Sequence, residues 1–229
     1  MRELIPLSIP HLAGNEWNYL KDCLDSGWVS YVDMFEQRIS KYVGTEYGIA
    51  TVNGTAALHL SLLACGVQPG DEVIVPAFTF IAPVNAIRYC GANPVLIGSE
   101  SKTMNLDVQK VQEFLEEECI SDPAGLKNKQ TGRYIKAILP VHVFGHPAEM
   151  SSLVSLADRY QLPVIEDASE SLGSEYRGKK TGSLATVGCF SFNGNKIITC
   201  GGGGMVTTNQ EYLARRIRHL STQANSKPF

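Results

Sequence analysis

Tyr-Gly-Ile-Ala-Thr-Val-Asn-Gly-Thr-Ala-Ala-Leu-His (47–59) passes from an apolar run into a helical pattern through one short turn, Asn53-Gly54-Thr55. The run over 47–52 reads as a strand and the pattern over 55–65 as a helix. The same alternation continues outward in both directions. Further strands are expected over 72–75, 94–97, 135–140, 163–166, 187–192 and 205–208, and further helices over 16–25, 32–43, 81–89, 108–118, 150–160 and 210–220. Short apolar strands separated by helices long enough to cross over a sheet predict an α/β fold, a mostly parallel sheet covered by helices on both faces. Ligands of such sheets gather at the carboxyl ends of the strands. The segments 53–55, 76–80, 141–145, 167 and 193–196 all fall there.

Asp107 is the expected N-cap of the helix over 108–118, and the polar stretch 121–132 behind it, rich in turn-formers, reads as a surface loop. No repeat or linker divides the chain, and 229 residues with 44% apolar content suffice for one large domain. Residues 221–229 read as an irregular tail. The formal charge of −3 carries no basic block, which argues against nucleic acid and anionic membrane surfaces and for a small or charged metabolite. Arg2, Glu3 and Pro6 stand where a signal core would lie, and no run reaches the ~18 apolar residues of a membrane span, so a soluble cytoplasmic protein is expected. The 6 cysteines are scattered without a Cys-x-x-Cys pair, as in reduced thiols rather than a disulfide frame or zinc site. His59 reads as a packed helix residue. His142 and His146 flank a Val-Phe-Gly turn with no partnering carboxylate or cysteine pattern, so no metal is expected.

Lys196 closes Cys-Phe-Ser-Phe-Asn-Gly-Asn-Lys (189–196), and Asp167 closes Leu-Pro-Val-Ile-Glu-Asp (162–167). A lysine that forms an imine with an aldehyde, and an aspartate that keeps a ring nitrogen protonated, are the pair that pyridoxal phosphate chemistry requires. Gly54 and Thr55 open a helix directly after a strand, where backbone N–H groups and the helix dipole hold phosphate. The same pair serves equally as ordinary capping. Ser191 is either a second hydroxyl for that phosphate or a strand serine facing a neighbour. Phe78 and Phe80 either stack on a flat heteroaromatic ring or belong to the core. Glu166 reads as solvent-facing. Asp167 reads as facing the crevice, with Glu170 on the same side if the chain turns helically there. Helix N-terminal capping is the alternative for these acids. The glycines 201–204 lack the strand before and helix after that a dinucleotide motif needs. They read instead as close backbone passage or a tight bend into the strand over 205–208.

Asn-Gly-Thr-Ala-Ala-Leu-His (53–59), Pro-Gly-Asp-Glu-Val-Ile-Val-Pro (69–76), Thr-Phe-Ile-Ala (79–82), Ile-Leu-Pro-Val-His-Val-Phe-Gly (138–145), Ile-Glu-Asp-Ala-Ser-Glu-Ser (165–171) and Phe-Ser-Phe-Asn-Gly-Asn-Lys (190–196) together resemble the DegT/DnrJ/EryC1/StrS sugar aminotransferases, which have the type I aminotransferase fold. Within that family, the excursion 119–133 and the lysine segment with its glycine run look most like the legionaminic acid branch. The resemblance implies pyridoxal 5'-phosphate as cofactor, L-glutamate as amino donor and a nucleotide-linked 4-keto-6-deoxy sugar as acceptor, with a UDP-linked 4-keto N-acetylhexosamine the expected substrate and a homodimer the expected assembly. It assigns Lys196 to the aldehyde, Asp167 to the ring nitrogen, Phe80 to stacking on the ring, and Gly54, Thr55, Ala56 and Ser191 to the phosphate. Glu170 stands where relatives often carry glutamine, near the ring hydroxyl. A sugar dehydratase of the same family would resemble this pattern with histidine in place of Lys196.

Two departures accompany the resemblance. Gly27-Trp28-Val29-Ser30 is similar to an active-site loop of the family, which assigns Trp28, Val29 and Ser30 to substrate, yet it runs straight into Tyr31 where relatives carry a few more residues. Relatives also continue into a small C-terminal domain that helps complete the site across the dimer. The expectation for 1–229 is therefore the cofactor-binding large domain with its N-terminal segment and no small domain. The chain is then either a fragment of an aminotransferase or a shortened homologue that binds cofactor with impaired catalysis.

Overall fold

The computed structural model describes residues 13–28 and 30–222. Two helices, α1 (Glu16–Ser26) and α2 (Val32–Val43), precede the first strand–helix unit, β1 (Tyr47–Thr51) and α3 (Gly54–Ala64). The alternation then runs through β2 (Glu72–Pro76), α4 (Ile81–Tyr89), β3 (Asn93–Ile97) and α5 (Val108–Glu117). A hairpin follows, β4 (Cys119–Asp122) and β5 (Gly125–Asn128), then β6 (Tyr134–Ile138), α6 (Met150–Arg159) and β7 (Ile165–Asp167). A small ribbon of β8 (Glu175–Tyr176) and β9 (Lys179–Lys180) leads into β10 (Val187–Ser191), β11 (Gly204–Thr208) and α7 (Glu211–Ser221).

The central strands are parallel: β3 with β2, β2 with β6, and β7 with β10. Parallel bridges Ile138–Val164 and Val141–Asp167 join β6 to β7, so the two groups of strands form one surface. β11 runs antiparallel between β10 and β1. The reason is local, since residues 192–203 turn the chain straight back from β10 and no crossover helix intervenes.

Period-two alternation assigns each strand residue to a face. Val73, Val75, Leu139, Val187, Cys189 and Val206 pack with Leu58, Leu62, Ile87, Leu213 and Ile217 of α3, α4 and α7. On the other face Ile74, Ile138 and Val164 meet Val111, Leu115, Leu153 and Leu156 of α5 and α6. Phe190 and Met205 meet Ile39 and Val43 of α2 on that same side. Asp107 caps α5 as expected, its Oδ1 accepting from the Gln109 and Lys110 N–H groups at 3.0 and 3.4 Å.

The stretch 121–132 is not the free surface loop its composition suggests. β4 and β5 pair antiparallel around Asp122-Pro-Ala-Gly125, and β5 pairs onto the start of β6. Asp122 Oδ1 accepts from the Ala124 and Gly125 N–H groups, closing the turn. Leu126 and Asn128 are buried, and Asn128 Nδ2 donates to Glu72 Oε2 at 2.8 Å. Two buried side chains and a buried hydrogen bond outweigh a local preference for loop. At the other end of the chain, Ser221 belongs to α7 and the rest of the expected tail, 223–229, lies outside the described residues.

Candidate active site

The strand β7 ends in two adjacent carboxylates that point to opposite sides. Glu166 is fully buried rather than solvent-facing. Its oxygens accept from the N–H groups of Gly182, Leu184 and Ala185 at 2.7–2.9 Å, and from His142 Nε2 at 3.1 Å. His142 therefore does have a carboxylate partner, against expectation. Its Nδ1 accepts from the Ala148 N–H at 3.1 Å, which fixes the proton on Nε2. Four donors on one carboxylate are what make its burial tolerable.

Asp167 lies on the cavity side and is also buried, 6% exposed. Burial pushes its carboxyl above the ordinary aspartate value, opposed by hydrogen bonds from Ser169 and by the nearby His142 and Lys196. Its Oδ1 accepts from the Ser169 N–H at 3.1 Å, a local turn rather than a helix cap. The turn brings Glu170 to the same cavity as Asp167, as the sequence suggested.

The N-terminus of α3 faces this carboxylate end of the sheet. The Asn53 side chain accepts from the Ala56 N–H at 2.8 Å, so the cap takes Ala56 and leaves the N–H groups of Gly54 and Thr55 without an intrahelical acceptor. Gly54 is required by close approach: a Cβ there would stand 2.8 Å from Ser191 Cβ. The glycine run supplies a second close passage, because a Cβ on Gly204 would stand 2.4 Å from the Asn53 carbonyl oxygen. Gly54 and Gly204 thus let the end of β10 and the start of β11 lie against the turn that opens α3.

Lys196 sits in the loop after β10, its backbone N–H donating to the Asn193 carbonyl at 3.0 Å. The side chain is 17% exposed, and Nζ lies 3.4 Å from Glu170 Oε1. Glu170 Oε2 accepts from the Phe144 N–H at 3.2 Å, so one carboxylate bridges the lysine and the turn 143–145. Phe78 and Phe80 follow β2 and are exposed, which removes the core reading for both. Phe78 meets Phe144 edge-to-face, with ring centroids 6.2 Å apart. Between them, Thr79 Oγ1 is buried without a hydrogen-bond partner among the described residues.

Gly54, Thr55, Phe80, Asp167, Glu170, Ser191 and Lys196 line one cavity of about 520 Å³. Three expected site residues are not part of its lining. Ala56 lies one residue deeper in α3 with its N–H taken by the cap. Trp28 and Ser30 are outside the lining, and Val29 is outside the described residues. The cavity also holds Asn53, Thr79, Val141, Val143, Phe144, Ser169, Asn193 and Asn195. Most of these belong to segments already placed at strand ends. Ser169 and Phe144 were missed as individual residues, although each lies within three residues of a strand-end position.

The sequence profile of the DegT/DnrJ/EryC1/StrS aminotransferase family matches residues 10–228. A GDP-perosamine synthase from Caulobacter vibrioides is 45% identical over 223 residues, which is 96% of this chain and 56% of that protein. Among solved structures, a DegT DnrJ EryC1 StrS aminotransferase from Brucella abortus superposes with a TM-score of 0.83 at 30% identity, covering 93% of this chain and 56% of the other. NtdA from Bacillus subtilis with bound cofactor PMP superposes with a TM-score of 0.76 at 35% identity, covering 90% and 43%. The chain thus spans about half the length of the relatives it matches.

Proposed function

The chain belongs to the DegT/DnrJ/EryC1/StrS aminotransferase family, and from that premise we propose that it binds pyridoxal phosphate at Lys196 and moves an amino group from L-glutamate to a nucleotide-linked 4-keto-6-deoxy sugar. The observation that carries this reading is the meeting of Lys196, the buried Asp167 and the opening turn of α3 in one cavity. The residues fit the cofactor at each end. Gly54 and Thr55 N–H groups with the Ser191 hydroxyl suit a phosphate. Thr79 lines the same cavity, and its buried hydroxyl has no hydrogen-bond partner among the described residues.

Bound there, pyridoxal phosphate supplies a protonated ring that takes up the electron pair left when a C–H bond beside nitrogen breaks. Asp167 keeps the proton on the ring nitrogen, and the charge pairing offsets the burial that raises its own carboxyl. Lys196 would hold the cofactor through Nζ, and the same amine is the group in the cavity that would take up and return a proton. Glu170 orients Nζ and fixes the turn at Phe144. Phe80, at the mouth, covers the ring face.

In this reading residues 1–229 are a cofactor-binding large domain with its N-terminal segment. The nucleotide is GDP, supported by the 45% identity to a GDP-perosamine synthase. The UDP-linked 4-keto N-acetylhexosamine remains the second reading, carried by the 119–133 excursion that forms the β4–β5 hairpin. A homodimer is supported by the exposed apolar residues Trp17, Leu20 and Leu24 on α1, spaced to form one stripe. No helix among the described residues is long and apolar enough to cross a membrane.

Single-turnover spectroscopy tests the function. Protein loaded with pyridoxal phosphate should convert to the amine form on adding L-glutamate, and return on adding the GDP-linked ketosugar. Loading without conversion by glutamate would favour instead a cofactor-binding homologue without turnover.

A further inference from the structure

Phe144 holds a backbone conformation that a bulky residue rarely adopts, φ 52 and ψ 27, in the left-handed region. The turn that imposes it is tied down on every side. Val143 N–H donates to Asn105 Oδ1 at 2.9 Å, Phe144 N–H to Glu170 Oε2 at 3.2 Å, and Ser174 Oγ to the Gly145 carbonyl at 2.7 Å. Gly145 is at φ 83, and a Cβ there would stand 2.8 Å from the Glu170 carbonyl oxygen. This strain serves no packing, because the Phe144 side chain is 81% exposed. It holds an apolar ring at the cavity, edge-to-face with Phe78.

We propose that Phe144 is a substrate-contact residue whose ring lies against the sugar of the amino acceptor; this rests on the function proposed above. The choice among ligands follows from position and chemistry. Glu170 joins the Phe144 N–H to Lys196 Nζ, so the backbone that carries the ring is tied to the reacting lysine, and Phe144 lines the same cavity. The group that must reach Lys196 from the acceptor is its sugar, not its base. A 6-deoxy sugar offers a methyl group and a face of C–H bonds, the surface an aromatic ring packs against, whereas glutamate is small, carries two carboxylates and has little such surface.

The test compares GDP with a GDP-linked 6-deoxyhexose as ligands of cofactor-loaded protein, by calorimetry. Wild type should bind the sugar conjugate more tightly than GDP. Phe144→Gly, which suits the left-handed backbone and so keeps the fold, should lose about tenfold in affinity for the conjugate and far less for GDP. Phe144→Tyr should restore the conjugate. Equal losses for both ligands, no loss for either, or a change in oligomeric state on Phe144→Gly would overturn the assignment. Wild type that binds neither ligand would contradict the GDP-sugar reading on which the assignment rests, whereas wild type that binds both with an unmoved variant contradicts only the role of Phe144.

Discussion

Asp167 is a carboxylate at the end of a buried strand, held by little more than the Ser169 turn, and burial raises its pKa. Its neighbour Glu166 shows what a structural buried acid looks like, with four donors gathered around it. In the proposed reading, that contrast suits Asp167 to pair with a cation. The folded chain holds the Asp167 proton more tightly than the unfolded chain does. The stability this group contributes is therefore full below the ordinary carboxylate range and lost as pH rises through the raised folded value. Asparagine has no such proton, so cofactor-free Asp167→Asn should gain on wild type in urea unfolding as pH rises through that window. A difference that does not vary with pH would refute the buried-charge account. That Lys196 and Asp167 would lie at one crevice was legible in the sequence, because both follow apolar strands closely. Phe144 was not, since its significance lies in a backbone angle that no residue type announces. Ala56, which the family pattern assigns to the phosphate, has its backbone N–H taken by the Asn53 side chain, a cap that the family pattern does not announce.

At the scale of elements, the site is held by loops that cross-brace one another. Glu166 on β7 gathers the backbone of 182–185 ahead of β10 and the His142 ring behind β6, so one side chain ties two segments to the strand whose end lines the cavity. Glu166→Ala would leave those donors buried and unpaired, and should cost about 3–5 kcal/mol in urea unfolding. Glu166→Gln, which keeps the shape and one acceptor, should cost less. An alanine variant within about 1 kcal/mol of wild type would show that water replaces the network. The strands and helices themselves were legible to within a few residues, because alternation and helical periodicity reflect burial directly. The β4–β5 hairpin was hidden because its two strands are short and its residues mostly polar, and burial of Leu126 and Asn128 depends on the distant partners β6 and Glu72.

At the scale of the whole molecule, Gly54, Asp167 and Lys196 come from segments far apart in sequence and meet only when the sheet is complete. The distant ends of the fold are tied as well: Arg218 on α7 pairs with the buried Glu36 on α2, whose Oε1 also accepts from the Ala50 N–H on β1 at 2.7 Å. Fold class followed from the order of elements, whereas the assembly of the cavity required knowing which strand ends are neighbours. The central claim is that this assembly makes Lys196 the lysine that holds the cofactor. Native protein incubated with pyridoxal phosphate, reduced with borohydride, digested and mapped by mass spectrometry should carry the phosphopyridoxyl group on Lys196, with labelling spread among lysines once the protein is unfolded in urea. A native adduct on another lysine, or none on Lys196, would contradict it.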